Sequence, residues 1–269
     1  MAKWSSYYLI RIEFLGFRYH GWQKQAKLKS VQGMIDKTFE FILGHTDFKT
    51  LGCGRTDAKV SADDFAFELF VNESFDCAKL LLRLNKELPS DIRAKYVQTV
   101  GEGFNIIQHS KIKEYHYYFS SGEKSHPFNA PLIRDFGEVL NIDLMKEAAA
   151  LFMGTHNFKR FASKPSANTI FERTILFSEI EENTRFVDAY SPKDTYVFKV
   201  RSKGFLRYQV RLMVGALVDV GRGVCTLAYL KNYLEDFEGT QVRHIAPSSG
   251  LLLHKVEFDL VFEKPQTDK

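Results

Sequence analysis

Cysteine is scarce in this chain: Cys53, Cys77 and Cys225 are the three among 269 residues. So few, and so widely spaced, they supply neither a disulfide framework nor a zinc ligand set. No apolar run nears the ~20 residues needed to cross a bilayer, so no membrane partner is expected. The opening stretch MAKWSSYYLIRIEF lacks the charged start, apolar run and small-residue cleavage site of a secretory signal. A reducing cytoplasm is the expected location, and the sequon Asn72-Glu73-Ser74 reads as chance. Proline is rare, with seven copies, two of them in the polar loop GEKSHPFNAP at 122–131. There is no short-period repeat and no low-complexity segment. Charge is nearly balanced, with 37 Lys and Arg against 33 Asp and Glu, a net charge of +4 and a pI near 8.8. That balance permits a polyanionic partner without requiring one.

What the chain has in plenty is aromatic side chains, 24 Phe and 12 Tyr, most of which suit strands packed on a core. YYLIRIEF (7–14) alternates with Ile10, Ile12 and Phe14 on one face. Ser30 is a plausible cap for a helix that places Val31, Ile35, Phe39 and Ile42 on one side. A turn, GCGRTDAKV, then runs into SADDFAFELF, a strand with Phe65, Phe67 and Leu69 on a strongly apolar face. Asp76 caps a second helix over 75–88; strands follow at 93–100 and 114–120. IDLMKEAAALFMG is helical, residues 170–202 hold two or three strands, FLRYQVRLMVGALVDVGRG (205–223) is a long amphipathic helix, and 250–262 is a closing strand. Strands linked by helices and by short turns predict an α+β fold with a mostly antiparallel sheet, divided into lobes 1–107 and 108–269.

Four stretches can carry chemistry. Arg55-Thr56-Asp57 follows Gly52 and Gly54; its aspartate can be a backbone cap in a turn, or a carboxylate held ionised by an arginine to act as nucleophile or base. Arg207 and Arg211 lie four apart on the predicted late helix, as a solvated pair or as a counter-ion turned into a cleft. FRYHGWQKQ (17–25) interleaves Tyr19, His20 and Trp22 with Arg18 and Lys24, which suits either core packing or RNA stacking. A strand tyrosine pair, Tyr115 and Tyr117, either faces a cleft or adds further strand aromatics.

Taken in order, these segments resemble the tRNA pseudouridine synthase A family. Gly21-Trp22-Gln23-Lys24-Gln25 matches its early glycine-tryptophan-glutamine segment, and Arg55-Thr56-Asp57-Ala58 its catalytic turn. Tyr115 and Tyr117, Gly154-Thr155-His156-Asn157-Phe158 with Phe161, Phe205-Leu206, Val210-Arg211, Met213, Gly215, Val220-Gly221, Ala246-Pro247 and Gly250-Leu251 follow in place. Lys59-Val60-Ser61-Ala62 stands where the family has glycine-valine-histidine-alanine. Phe14-Leu15-Gly16 replaces a tyrosine-aspartate-glycine, and Phe104-Asn105-Ile106-Ile107 lacks the family's arginine.

The resemblance implies a pseudouridine synthase fold, two similar lobes flanking a catalytic cleft, and isomerisation of uridine on the 3′ side of the tRNA anticodon stem-loop. It implies no cofactor and no metal. Asp57 would be the catalytic carboxylate, Arg211 its counter-ion, and Tyr115 the residue that stacks on the flipped base. Arg55, Thr56, Gln23, Tyr117 and Leu206 would bind substrate. A homodimer with a basic groove is implied, with Lys24, Lys27, Lys29, Lys159, Arg160 and Lys164 as candidate phosphate contacts. Two rivals stand beside it: an RNA-binding paralogue without turnover, and a phosphate-binding enzyme cradled by Gly52-Cys53-Gly54, which lacks the lysine of a P-loop.

Overall fold

The computed structural model describes residues 4–187, 189–236 and 238–259. The chain is α+β, with five helices and a mostly antiparallel set of strands among the described residues. Its described residues form two compact units, one holding 4–111 together with 253–259, the other lying within 112–252.

In the first unit, β1 (Ser6–Phe14) pairs antiparallel with β3 (Ser61–Val71), and β2 (Lys49–Gly52) pairs with the far half of β3. The fourth strand, β4 (Ile92–Thr99), lies on the other edge of β1. Helix α1 (Val31–Leu43) starts where the Ser30 hydroxyl accepts the Gly33 N–H at 3.2 Å. It buries Val31, Ile35, Phe39 and Ile42, and stops at Gly44, whose φ of 78° only glycine adopts without strain. Helix α2 (Cys77–Glu87) is capped by Asp76, which accepts the Lys79 N–H at 2.8 Å, and buries Leu80 and Leu84.

Central strand β3 is buried on both faces rather than one: Ala66 and Glu68 are as inaccessible as Phe65 and Phe67. On one side Trp22 stacks on Phe65 with centroids 4.2 Å apart, and Phe39 of α1 meets Phe67 edge-on. On the other side lies the segment Phe104–Ile106, where the Ile106 N–H points at the Glu68 carboxylate, 3.4 Å away.

The second unit contains β5 (Ser110–Ser120), β6 (Arg134–Asp135), β7 (Gly154–Asn157), β8 (Glu172–Glu182) and β9 (Thr195–Ser202). Their order is β5-β9-β8-β7, antiparallel throughout, with β6 parallel to β5. Helices α3 (Ile142–Ala150), α4 (Gln209–Gly221) and α5 (Leu227–Glu235) pack on one another, and α3 also packs on β8. The late helix begins at Gln209, four residues after the expected start. Tyr208 has φ of 64°, a left-handed conformation that cannot continue a helix. Arg207 therefore lies before the helix, and does not share a helical face with Arg211.

The chain returns to the first unit through β10 (Leu251–Phe258), beside β3. Arg11 fixes that return: its guanidinium donates to Asp64 at 2.6 Å and to the Val256 carbonyl at 3.1 Å. Of the closing strand expected over 250–262, residues 260–262 lie outside the described residues.

Candidate active site

The turn that carries Asp57 links β2 to β3. The Cys53 N–H still donates to Ala66 at 2.9 Å, so the ladder persists one residue past β2 before the chain breaks away. The turn's backbone is held by the segment around Gly21. Trp22 N–H donates to the Thr56 carbonyl at 3.3 Å, and Lys59 N–H to the Tyr19 carbonyl at 2.9 Å. Val60 N–H closes on the Asp57 carbonyl at 3.2 Å. Gly21 has φ of 84°, and a Cβ there would overlap the Thr56 carbonyl oxygen. Gly52 is equally constrained, because the Trp22 indole occupies the space a side chain would need.

Asp57 is half-buried and Arg55 exposed. Thr56 is buried, and its hydroxyl oxygen has no hydrogen-bond partner among the described residues. Gln23 is exposed beside them. Tyr19 and Trp22, for which RNA stacking was one reading, are core residues at 1% and 2% exposure. Trp22 is the wedge between turn and sheet. Tyr19 donates its hydroxyl to Asp91 at 2.6 Å, and burial raises its phenol pKa further than that hydrogen bond does.

Tyr115, Tyr117, Leu206 and Arg211 belong to the second unit. Tyr115 and Tyr117 point to the same face of β5, being two apart on a strand. Tyr115 is half-buried and meets Phe205 edge-on at 5.3 Å. Tyr117 is fully buried, and its hydroxyl donates to the Pro247 carbonyl at 2.9 Å. Burial raises its pKa, while the charges of Arg134 and Arg211 pull it down.

Arg211 sits in the first turn of α4, locked to Ala246 in both directions. Its Nε donates to the Ala246 carbonyl at 2.7 Å, and the Ala246 N–H donates to the Arg211 carbonyl at 3.0 Å. The Tyr208 ring lies 4.7 Å from its guanidinium and 5.2 Å from that of Arg207. Leu206 is buried and exchanges hydrogen bonds with Gln209, N–H to Oε1 at 2.8 Å and carbonyl to N–H at 3.0 Å. Further along α4, a Cβ on Gly215 would overlap the His244 carbonyl, so the helix and the irregular segment 244–246 touch backbone to backbone.

The structure thus gathers Gln23, Arg55, Thr56 and Asp57 in one unit, and Tyr115, Tyr117, Leu206 and Arg211 in the other. Arg160, a candidate phosphate contact, is corrected: it is 4% exposed. Its guanidinium donates to the carbonyls of Thr240 and Asp236 and stacks 4.0 Å over Tyr233. Phe205, Ala246 and Pro247 were absent from the expected site residues. They touch Tyr115, Arg211 and Tyr117 through a ring edge and two carbonyls, which no side-chain chemistry announces.

Comparison with known proteins decides what this arrangement belongs to. A family model described as tRNA pseudouridine synthase matches residues 148–259. A tRNA pseudouridine synthase A 2 of Bacillus cereus is 31% identical over 252 residues, 93% of this chain and 99% of that protein. The chain belongs to the tRNA pseudouridine synthase A family. Similar proteins from Dictyoglomus thermophilum (30% over 266 residues, 96% and 100% of the two chains) and Aquifex aeolicus (32% over 250 residues, 93% and 98%) agree.

Within a tRNA pseudouridine synthase, the departures in the turn have visible consequences. Lys59 replaces a glycine and bears φ of 68°; its ammonium lies 5.5 Å from the Phe17 ring centroid. Ser61 replaces a histidine and accepts the Gly16 N–H at 2.9 Å, where Gly16 touches the Val60 backbone too closely for any side chain. Ile106, in the segment lacking the family's arginine, is fully buried against β3.

Proposed function

We propose that this chain isomerises uridine to pseudouridine on the 3′ side of the tRNA anticodon stem-loop, with Asp57 as the catalytic carboxylate. Membership of the family makes it an RNA pseudouridine synthase acting on tRNA; the choice of uridine and the roles of single residues are inferred. The reaction breaks the N-glycosidic bond, turns the base and rejoins it through carbon. A carboxylate on the C1′ side promotes the cleavage, by attack at C1′ or by removing a ribose proton to give a glycal. What supports Asp57 is its setting: a half-buried carboxylate on a turn whose backbone is fixed by Tyr19, Gly21 and Trp22. A nucleophile or base held on rigid backbone loses little entropy on reaching its substrate.

Family resemblance assigns the other parts. Arg211 supplies the positive charge that keeps the carboxylate ionised. Tyr115 stacks on the flipped uracil, an interaction worth roughly 1–3 kcal/mol. Arg55 contacts the nucleic acid, and the unpartnered Thr56 hydroxyl, Gln23, Tyr117 and Leu206 line the substrate site. A homodimer working in the cytoplasm, with Lys24, Lys27, Lys29, Lys159 and Lys164 toward phosphate, completes the reading.

The test is tritium release from uridine labelled at C5 in unmodified tRNA, run beside a binding titration. Asp57→Asn is nearly isosteric; turnover falls by several orders of magnitude while tRNA affinity is largely kept. Equal turnover in Asp57→Asn and the parent would remove Asp57 from the mechanism. A parent that binds tRNA without releasing tritium from any tRNA would favour the binding paralogue, the reading that Lys59 and Ser61 motivate.

A further inference from the structure

Helices α1 and α2 form an outward surface remote in sequence from the Asp57 turn. A groove of about 490 Å³ between them is lined by Phe41, Lys79, Leu82, Arg83, Lys86 and Glu87. Lys79, Arg83 and Lys86 are spaced i, i+4 and i+7, so they line one side of α2. All three are exposed and, among the described residues, none pairs with a carboxylate. Elsewhere on this unit some cations are paired, Lys24 with Asp36, Arg18 with Asp91, Arg93 with Glu13 and Lys111 with Asp259, while Lys27, Lys37 and Arg55, like the three on α2, have no carboxylate partner among the described residues. Beside the stripe, Phe41 is 67% and Leu82 73% exposed. Two large apolar side chains thus stand exposed directly beside three cations that have no carboxylate partner among the described residues.

We infer that this groove is a second RNA contact, in which Lys79, Arg83 and Lys86 track phosphates and Phe41 stacks on a base. The charge is one-sided, three cations to a single lining carboxylate, which fits a polyanion. A positive track beside an aromatic platform is how sequence-tolerant proteins hold single strands. The cations span about 10 Å along the helix, roughly the rise of three stacked nucleotides at ~3.4 Å each. The identity of the occupant rests on the chain's action on tRNA.

The experiment compares the parent, a Lys79→Ala/Arg83→Ala/Lys86→Ala variant and Phe41→Ala, all altered only at exposed positions. Binding to unmodified tRNA is titrated over a series of salt concentrations, with tritium release measured at saturating and limiting tRNA. The triple variant should bind more weakly and flatten the slope of log K against log salt by about 2 to 3. Phe41→Ala should weaken binding roughly five- to a hundred-fold with the slope unchanged. Both should raise KM and leave kcat intact. Unchanged affinity and slope in both variants would overturn the inference. So would a Phe41→Ala effect confined to the sedimenting mass, which would make the groove a protein contact. If the parent releases no tritium, the enzymatic reading fails, and the salt slopes still decide for or against the groove.

Discussion

Gly21 and Thr56 are in backbone contact: no Cβ fits on Gly21 because the Thr56 carbonyl already occupies its place, and the next N–H, that of Trp22, donates to that same carbonyl. The early glycine-tryptophan pair is thus a brace for the turn bearing Asp57. Gly21→Ala would force a Cβ into a backbone carbonyl at φ of 84°. The left-handed conformation alone costs about 1–2 kcal/mol, and the overlap adds to it. We expect a loss of roughly 2–4 kcal/mol in denaturant unfolding, with kcat falling further than tRNA affinity. An unchanged unfolding midpoint would mean that the brace is dispensable.

Lys59 offers a reversal of the ordinary substitution order. In most settings alanine is more stabilising than glycine, because glycine loses more chain entropy on folding. At φ of 68° the steric cost of a Cβ outweighs that difference. Both Lys59→Gly and Lys59→Ala lose the contact with Phe17, so it cancels in the comparison. Lys59→Gly should therefore be more stable than Lys59→Ala by about 1 kcal/mol, read from paired urea melts. Alanine equalling or exceeding glycine would show that the turn relaxes instead of holding its conformation.

Much of this was legible in the chain. The caps of α1 and α2 were readable because Ser30 and Asp76 stand directly before apolar residues at helical spacing, and the side chains accept the N–H groups expected of them. The residues matched to the family were readable as an ordered series. The second buried face of β3 was not, because Glu68 marks that face as polar while Ile106, far along the chain, covers it. Nor was the start of α4, since a left-handed tyrosine leaves no mark in apolar periodicity. Helix α5 went unread too: it buries only Leu230 and Leu234, too short a pattern to stand out. The packing role of Trp22 and the burial of Arg160 depend on partners distant in sequence, and only tertiary contact distinguishes such residues from exposed ligands for RNA.

Arg211 is held by a backbone carbonyl and an aromatic ring. Its Nε is committed to the Ala246 carbonyl, and its guanidinium stacks beside Tyr208, so its plane is fixed before substrate arrives. Arg211→Lys keeps the charge and loses both the fork and the Nε donor. The expected result is a fall in turnover of about two orders of magnitude or more, corresponding to roughly 3 kcal/mol of transition-state stabilisation, with tRNA affinity changed little. Single-turnover kinetics with saturating enzyme separate the two. Near-parental turnover would show that any cation suffices there.

The last prediction concerns Glu68, a carboxyl at 1% exposure in the middle of β3. One oxygen lies 3.4 Å from the Ile106 N–H, and the other has no partner among the described residues. Burial pushes its pKa up to about 7 from 4.5, against smaller downward pulls from Ile106 and Lys49. The folded state therefore binds this proton more tightly than the unfolded state does. Below pH 4.5 both states hold the proton and Glu68 costs nothing on this account. As pH rises from 4.5 to 7 the unfolded chain ionises first, and stability falls; above 7 the full penalty applies, on the order of 3 kcal/mol. Glu68→Gln cannot ionise, so its stability relative to the parent should improve between pH 5 and pH 8 by up to that amount. Any fixed cost of the amide is the same at both pH values and cancels from this comparison. Urea unfolding of the two proteins at pH 5 and pH 8 measures it directly. A stability difference independent of pH would mean that Glu68 titrates as an ordinary surface carboxyl, in conflict with its burial beneath Ile106.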